Sequence, residues 1–292
     1  MTSTWNLGEG DELATGLTAI KLLGGGHAYE AYLAWDERLF APVVVKVVRP
    51  DQVDDADTLR TLEREVGTVG ALNHPVIVRG FHAVLDGSRP HLVLENIDGP
   101  RLSTLLRRHG PLALEQLLPL GLEICSGLHY LRARGMVHLD IKPSNIIMGA
   151  PPRLIDLSIA RTVEAAARLR YAVGTDDYMA PEQCAPPATG VPGPPADIWG
   201  LGATLFEALA GYRPYERGVP ENDAPLTHRF PQLRGELAML PRRTPDPVAK
   251  PILACLAYDP ADRPTPAELA EMLQPLVEAL PKPKLSSFKP RL

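Results

Sequence analysis

Between His138 and Asn145 the chain reads His138-Leu139-Asp140-Ile141-Lys142-Pro143-Ser144-Asn145, a carboxylate, an ammonium and an amide within one short loop. Asp156 follows at the end of the next apolar run, Arg153 to Ile155. Oxygen donors at loop and strand ends, beside a lysine, suit Mg²⁺ and a phosphoryl group. Mg²⁺ takes hard oxygen ligands and usually keeps substrate phosphates in its shell. Any one of these residues alone reads as a solvated turn; all of them in this order do not. Lys46 is the only polar residue in the run Val43 to Val48. A lysine inside a strand core costs free energy unless it is paired, the plain alternative being an edge strand. Gly24-Gly25-Gly26 lets a backbone approach phosphates closely and offer N–H donors. Alone that signal is weak, and no Lys-Ser/Thr follows it, so it is not a Walker A loop.

The elements that must position these groups can be read from periodicity. Leu17 to Leu23 and Tyr29 to Trp35 flank the glycines as a strand hairpin, and Val43 to Val48 is a third strand. Asp54 to Leu72 reads as a helix with acid at its start. Leu59, Leu62, Val66 and Val69 form one apolar stripe, and Glu65 points along it. Glu65 is therefore either a rim residue reaching water or the partner that Lys46 needs. His91 to Leu94 is a short strand before an Asp98-Gly99 turn. Leu114 to Arg134 and Ile198 to Ala210 are apolar helices closed by Gly135 and Gly211. Ile146 to Met148 and Arg153 to Ile155 are short strands about a Gly-Ala-Pro-Pro turn, and Thr265-Pro266-Ala267-Glu268 is a capping box. The chain thus divides into an N-terminal extension (1–15), a small β-rich lobe (16–95), a larger mainly helical lobe (96–280) and a tail (281–292).

A chain of 292 residues that is 45% hydrophobic buries a substantial core rather than remaining disordered. A net charge of −5 with no clustered basic stripe argues against a nucleic-acid partner. No stretch reaches the ~20 apolar residues of a membrane span, and residues 1–11 carry no basic or apolar leader pattern. Cys125, Cys184 and Cys255 are widely separated and form no zinc or CxxC spacing. Buried free thiols in a cytoplasmic setting are expected.

These motifs, in this order, resemble the bacterial branch of the eukaryotic-like (Hanks-type) serine/threonine protein kinases over roughly residues 16–280. Leu23-Gly24-Gly25-Gly26 is similar to the glycine loop, Val44-Val45-Lys46 to the third strand, and Glu65 to the acid of the C-helix. Leu94-Glu95-Asn96-Ile97 resembles the gatekeeper and hinge. His138-Leu139-Asp140 with Asn145 resembles the catalytic loop, and Asp156-Leu157-Ser158 the magnesium motif. Gly174-Thr175 and Ala180-Pro181-Glu182 close an activation segment, followed by Asp197-Ile198-Trp199 and Asp262-Arg263-Pro264.

The resemblance implies an α+β bilobal protein-kinase fold: a small β-rich N-lobe with one C-helix, and a larger helical C-lobe. It implies transfer of the γ-phosphoryl group of ATP to Ser/Thr hydroxyls of proteins. Lys46, set by Glu65, would hold the α/β-phosphates. Asp140 would orient the acceptor hydroxyl and take its proton, and Lys142 would neutralise the transferring group. Asn145 and Asp156 would hold Mg²⁺, with Mn²⁺ as a substitute. Leu23, Gly24, Gly25, Gly26, Ala31, Val44, Leu94, Glu95, Ile97 and Ile147 would surround the nucleotide. Glu182 and Arg263 would form a buried structural pair, and a homodimer through the N-lobe is a further expectation. Two rivals stand beside this reading. A pseudokinase acting as an ATP-binding or scaffold module is favoured by Tyr29, where the third glycine of the loop usually lies, and by Ser158. A small-molecule kinase would lack the Gly174-Thr175 and Ala180-Pro181-Glu182 shelf. Leu139 stands where the family has a phosphate-gripping arginine, and no Ser or Thr lies between Thr162 and Thr175. Donor and receiver are absent together, so catalysis is expected to be independent of activation-loop phosphorylation.

Overall fold

The computed structural model describes residues 3–219 and 224–281. The N-terminal part is a six-stranded antiparallel sheet in the order β1-β2-β3-β4-β6-β5. Its strands are β1 (Glu12–Ala14), β2 (Leu17–Gly25), β3 (Tyr29–Asp36), β4 (Ala41–Val48), β5 (Gly80–Val84) and β6 (His91–Glu95), with helix α1 (Ala56–Ala71) between β4 and β5. The expected tail lies outside the described residues beyond Pro281.

Both faces of β4 are used, which explains its unbroken β-branched sequence. Val43, Val45 and Val47 pack with Leu13, Leu17, Tyr32, Ala34 and Val93 on the outer face. Trp5 and Leu7 lie against that cluster, so the extension joins the lobe as a cover. On the other face, Val44, Lys46 and Val48 look toward α1, as period two requires. Because β4 sits between β3 and β6, Lys46 is not on an edge strand. α1 starts at Asp55, whose carboxylate accepts the Thr58 N–H at 2.8 Å.

After the join at Glu95 the chain is mainly helical. It carries α2 (Leu102–His109), α3 (Leu114–Ala133), β7 (Met136–Val137), β8 (Ile146–Ile147), β9 (Arg153–Leu154), β10 (Arg161–Thr162) and α4 (Val163–Ala167). These are followed by α5 (Pro181–Cys184), α6 (Pro194–Ala210), α7 (Leu226–Arg229), α8 (Asp246–Cys255) and α9 (Pro266–Glu278). α6 is the centre of this lobe: Ile198, Trp199, Leu201, Leu205 and Phe206 are buried, and α3 and α8 pack on it. α9 begins with the expected capping box, Thr265 and Glu268 each satisfying the other's N–H. The two-stranded pairs β8–β9 and β7–β10 are the scaffold from which the loop chemistry projects.

Candidate active site

Two polar clusters form where the sheet meets the mainly helical part, one of them joining Lys46 to Asp156. In the first, Lys46 Nζ lies 2.7 Å from Glu65 Oε2 and 3.2 Å from Asp156 Oδ1. Glu65 is 1% exposed, so its place on the apolar stripe is explained by Lys46 rather than by water. Burial pushes the Lys46 ammonium down, but Glu65 and Asp156 outweigh it and hold it above the ordinary lysine range. Burial raises the Asp156 carboxyl, yet Lys46 and hydrogen bonds from Ser158 and Lys46 keep it well below the usual carboxylate range. Asp156 has a left-handed backbone, φ +67°, and its side chain stays 41% exposed.

In the second cluster Asp140 is held on both oxygens. Oδ1 accepts from the Thr175 hydroxyl at 2.7 Å, and Oδ2 accepts from Lys142 Nζ at 2.6 Å and Asn145 Nδ2 at 2.9 Å. Lys142 also donates to Thr175 Oγ1 at 2.5 Å. The loop beneath is suspended from buried Asp197, whose two oxygens accept the N–H groups of His138 (2.8 Å) and Leu139 (2.7 Å). The clusters are joined by the β8–β9 hairpin, in which the Ile155 N–H donates to the Asn145 carbonyl at 2.9 Å. Asn145 and Asp156 therefore sit at the same end of that hairpin.

A divalent cation fits this end. The Asn145 amide spends its nitrogen on Asp140, and its side-chain oxygen takes no hydrogen bond among the described residues. The second Asp156 oxygen is likewise unused. Two hard oxygens, with the remaining positions left to phosphate and water, are what Mg²⁺ asks of a protein.

A protein kinase domain model matches residues 17–274. This chain belongs to the protein kinase domain family. Among its curated relatives, the serine/threonine-protein kinase PkaA of Streptomyces coelicolor is 34% identical over 82% of this chain and 44% of the relative. PkaB of the same organism is 31% identical over 90% and 63%, respectively. PknB of Mycobacterium tuberculosis is 30% identical over 73% and 34%. The chain thus spans less than two thirds of the length of each of these relatives.

The remaining expected residues lie on the strands of the sheet and the turn after β2, in the segment after β6 and on β8. Leu23, Gly24 and Gly25 are the exposed end of β2, where Gly24 and Gly25 pair with Ala31 and Glu30 of β3, and Gly26 opens the turn that follows. At Gly25 the turn is so tight that a Cβ would lie 2.4 Å from the Tyr29 carbonyl oxygen. Ala31 and Val44 are half-buried on β3 and β4. Leu94 is the penultimate residue of the buried strand β6, and Ile147 lies on β8. The Glu95 carboxylate is occupied by Arg79 and Arg153, which leaves only its main chain for a ligand. The Ile97 N–H and C=O make no hydrogen bond among the described residues.

The expected Glu182–Arg263 pair is present, at 2.6 and 2.9 Å, with both side chains fully buried. Leu139, where the family pattern has an arginine, is 3% exposed with φ +65° and packs into the main core. Two positioning residues escaped the sequence reading. Gln183 donates to the carbonyls of Leu139 (2.8 Å) and Val173 (2.9 Å), tying catalytic loop to activation segment. Gln232 donates to the carbonyls of Asp176 (2.7 Å) and Met179 (3.1 Å). Both act on main-chain oxygens, which carry no signature in a single sequence.

Proposed function

We propose that this chain is an ATP-dependent protein serine/threonine kinase. The observation that carries the reading is the joint arrangement of Lys46 on Glu65 and Asp156, with Asp140 held by Lys142, Asn145 and Thr175. That arrangement favours an enzyme over a pseudokinase, because every charged group the chemistry needs is present and already oriented. In this reading the hinge atoms of Glu95 and Ile97 hold the adenine, which lies between Leu23, Ala31, Val44, Leu94 and Ile147. The glycine turn covers the phosphates, and Lys46 binds the α- and β-phosphoryl oxygens. Asn145 and Asp156 hold Mg²⁺, or Mn²⁺ in its place, which when bound neutralises charge on the β- and γ-phosphates.

The Asp140 carboxylate orients the acceptor hydroxyl and takes its proton as the oxygen–phosphorus bond forms and the β–γ bridging bond breaks. Lys142 stabilises charge on the transferring group, and Thr175 fixes Asp140 and Lys142 relative to one another. The transition state is loose, so positioning and electrostatics supply most of the acceleration. The acceptor class, Ser/Thr, is supported by Lys142 and Thr175 sharing Asp140. Packing of Leu139, Ala166 and Leu169 supports activity without loop phosphorylation. A homodimer through the N-lobe would use the exposed Phe81 and Val84 of edge strand β5. A cytoplasmic setting agrees with three buried free thiols. Among the described residues no helix is long and apolar enough to cross a membrane.

The test is transfer of radiolabelled γ-phosphate to a generic protein acceptor, with Asp140→Asn as control. Transfer by the wild type and a loss of at least about 100-fold in the variant are expected, within the range of general-base contributions. ATP binding without transfer by the wild type would favour the scaffold reading.

A further inference from the structure

We infer that Tyr29 is a positioning residue that latches α1 to the glycine loop and so keeps Lys46 and Glu65 paired before nucleotide arrives. Tyr29 is the first residue of β3. Its carbonyl accepts the Gly26 N–H at 3.0 Å, which ties it to the glycine turn. Its hydroxyl donates to the Thr58 carbonyl, in the first turn of α1, at 2.8 Å. Its ring centroid lies 4.7 Å from Lys46 Nζ, so the ammonium has Glu65, Asp156 and an aromatic face around it. One residue thus holds the loop through its main chain, and the lysine and the helix that carries the lysine's partner through its side chain.

The helix needs such support at one end only. Its C-terminal half is packed on the sheet: Val69 meets β5 so closely that a Cβ on Gly80 would lie 2.6 Å from Val69 Cγ1. Near its middle, Arg64 donates to the Ser158 carbonyl at 3.0 Å. The first turn has the exposed residues Ala56 and Asp57, and among the described residues its tertiary hydrogen bond to the sheet is the one from Tyr29. Burial pushes the Tyr29 phenol up to about 12, so it remains a neutral donor across the pH range in which proteins work. A glycine, the usual occupant, would keep the main-chain bond to Gly26 but could make neither side-chain contact.

The inference rests on the kinase reading, and its test is chosen to stand apart from activity. In nucleotide-free protein, Tyr29→Phe keeps the ring and loses the hydroxyl. Amide exchange in the first two turns of α1, residues 58–62, should quicken roughly fivefold, the equivalent of one hydrogen bond. Binding of Mg·ADP should restore the wild-type rate. The ATP KM should rise by roughly threefold to tenfold with kcat within twofold, because only the paired arrangement binds well and nucleotide re-forms it. Tyr29→Leu, which loses ring and hydroxyl, should raise KM further with the same split. Unchanged α1 exchange in Tyr29→Phe would overturn the latch. An exchange increase spread evenly over β2, β3 and β4 would also overturn it, since that marks ordinary packing. A fall in kcat at constant KM would do the same. If the wild type transfers no phosphate, the exchange comparison still decides the latch while the kinase reading fails separately.

Discussion

At the scale of single residues, the groups that announced themselves were those whose charge is costly where the pattern places them. Lys46 in an apolar strand and Glu65 on an apolar helix stripe each demand a partner, and they partner one another. Arg263 belongs to the same class. Its guanidinium donates to both Glu182 oxygens and to the carbonyls of Ala257, Pro195 and Tyr258, and it stacks 4.9 Å from the Trp199 ring. Replacing it with Met leaves the Glu182 carboxylate buried and unpaired, which costs about 3–5 kcal/mol. The unfolding midpoint of Arg263→Met should fall by roughly 10 °C or more in a thermal melt. Arg263→Lys should recover only part of this, because one ammonium cannot reproduce a planar fork. A midpoint within a degree of wild type would show the pair to be dispensable. Tyr29 illustrates what stayed hidden. Its departure from glycine is visible in the sequence, where it favours a pseudokinase, whereas its acceptor is a main-chain carbonyl 29 residues away. No side-chain identity marks such a contact.

At the scale of elements, strands and helices with strong periodicity were legible, and so was the order of lobes. The strand alternation of β4 put Lys46 on the cleft face, and the terminal glycines closed α3 and α6 as expected. Short elements were not legible, because their formation depends on tertiary partners more than on local preference. α4 has five residues and β10 two. Together they hold the activation segment. β10 pairs with β7, Thr162 caps α4 by accepting the Ala165 N–H at 3.2 Å, and Ala166 and Leu169 are buried. Gln183 completes the hold from the catalytic loop side. A segment already ordered by packing gains little from an added phosphate, and Leu139 offers no cation to receive one. Phosphatase-treated protein, shown by mass spectrometry to be free of phosphate, should therefore start at the untreated rate without a lag. A rate loss that recovers during incubation with ATP would show that phosphorylation orders the segment after all.

At the scale of the whole molecule, the N-terminal segment is the part whose role the linear reading understated. It was separable in sequence from the family pattern, and the family match begins only at residue 17. In the fold it closes the outer face of the sheet, with Leu13 fully buried and Trp5 and Leu7 against the same cluster. It also reaches the glycine loop through Arg49. That side chain donates to the Gly26 carbonyl at 2.7 Å, to Glu30 Oε1 at 2.8 Å and to the Ser3 carbonyl at 3.0 Å. Glu30, 1% exposed, further accepts from the Tyr32 hydroxyl at 2.8 Å. Trp5 Nε1 donates to the Val48 carbonyl at 2.8 Å, beside Arg49, and Arg89 lies 4.7 Å from the Trp5 ring. Removing residues up to Leu7 strips one anchor from Arg49 and uncovers the apolar outer face. Two effects are expected together. The melting midpoint should fall by a few degrees, since burial of a tryptophan and a leucine contributes about 2–4 kcal/mol between them. The ATP KM should rise while kcat holds, because Arg49 then grips Gly26 less firmly and the loop closes over phosphates less often. Trp5→Ala should reproduce the midpoint shift but leave the Ser3–Arg49–Gly26 bridge, so its KM should move less than that of the deletion. Equal KM shifts in the two variants would mean that the segment acts through sheet packing alone and that the Arg49 bridge carries nothing to the nucleotide.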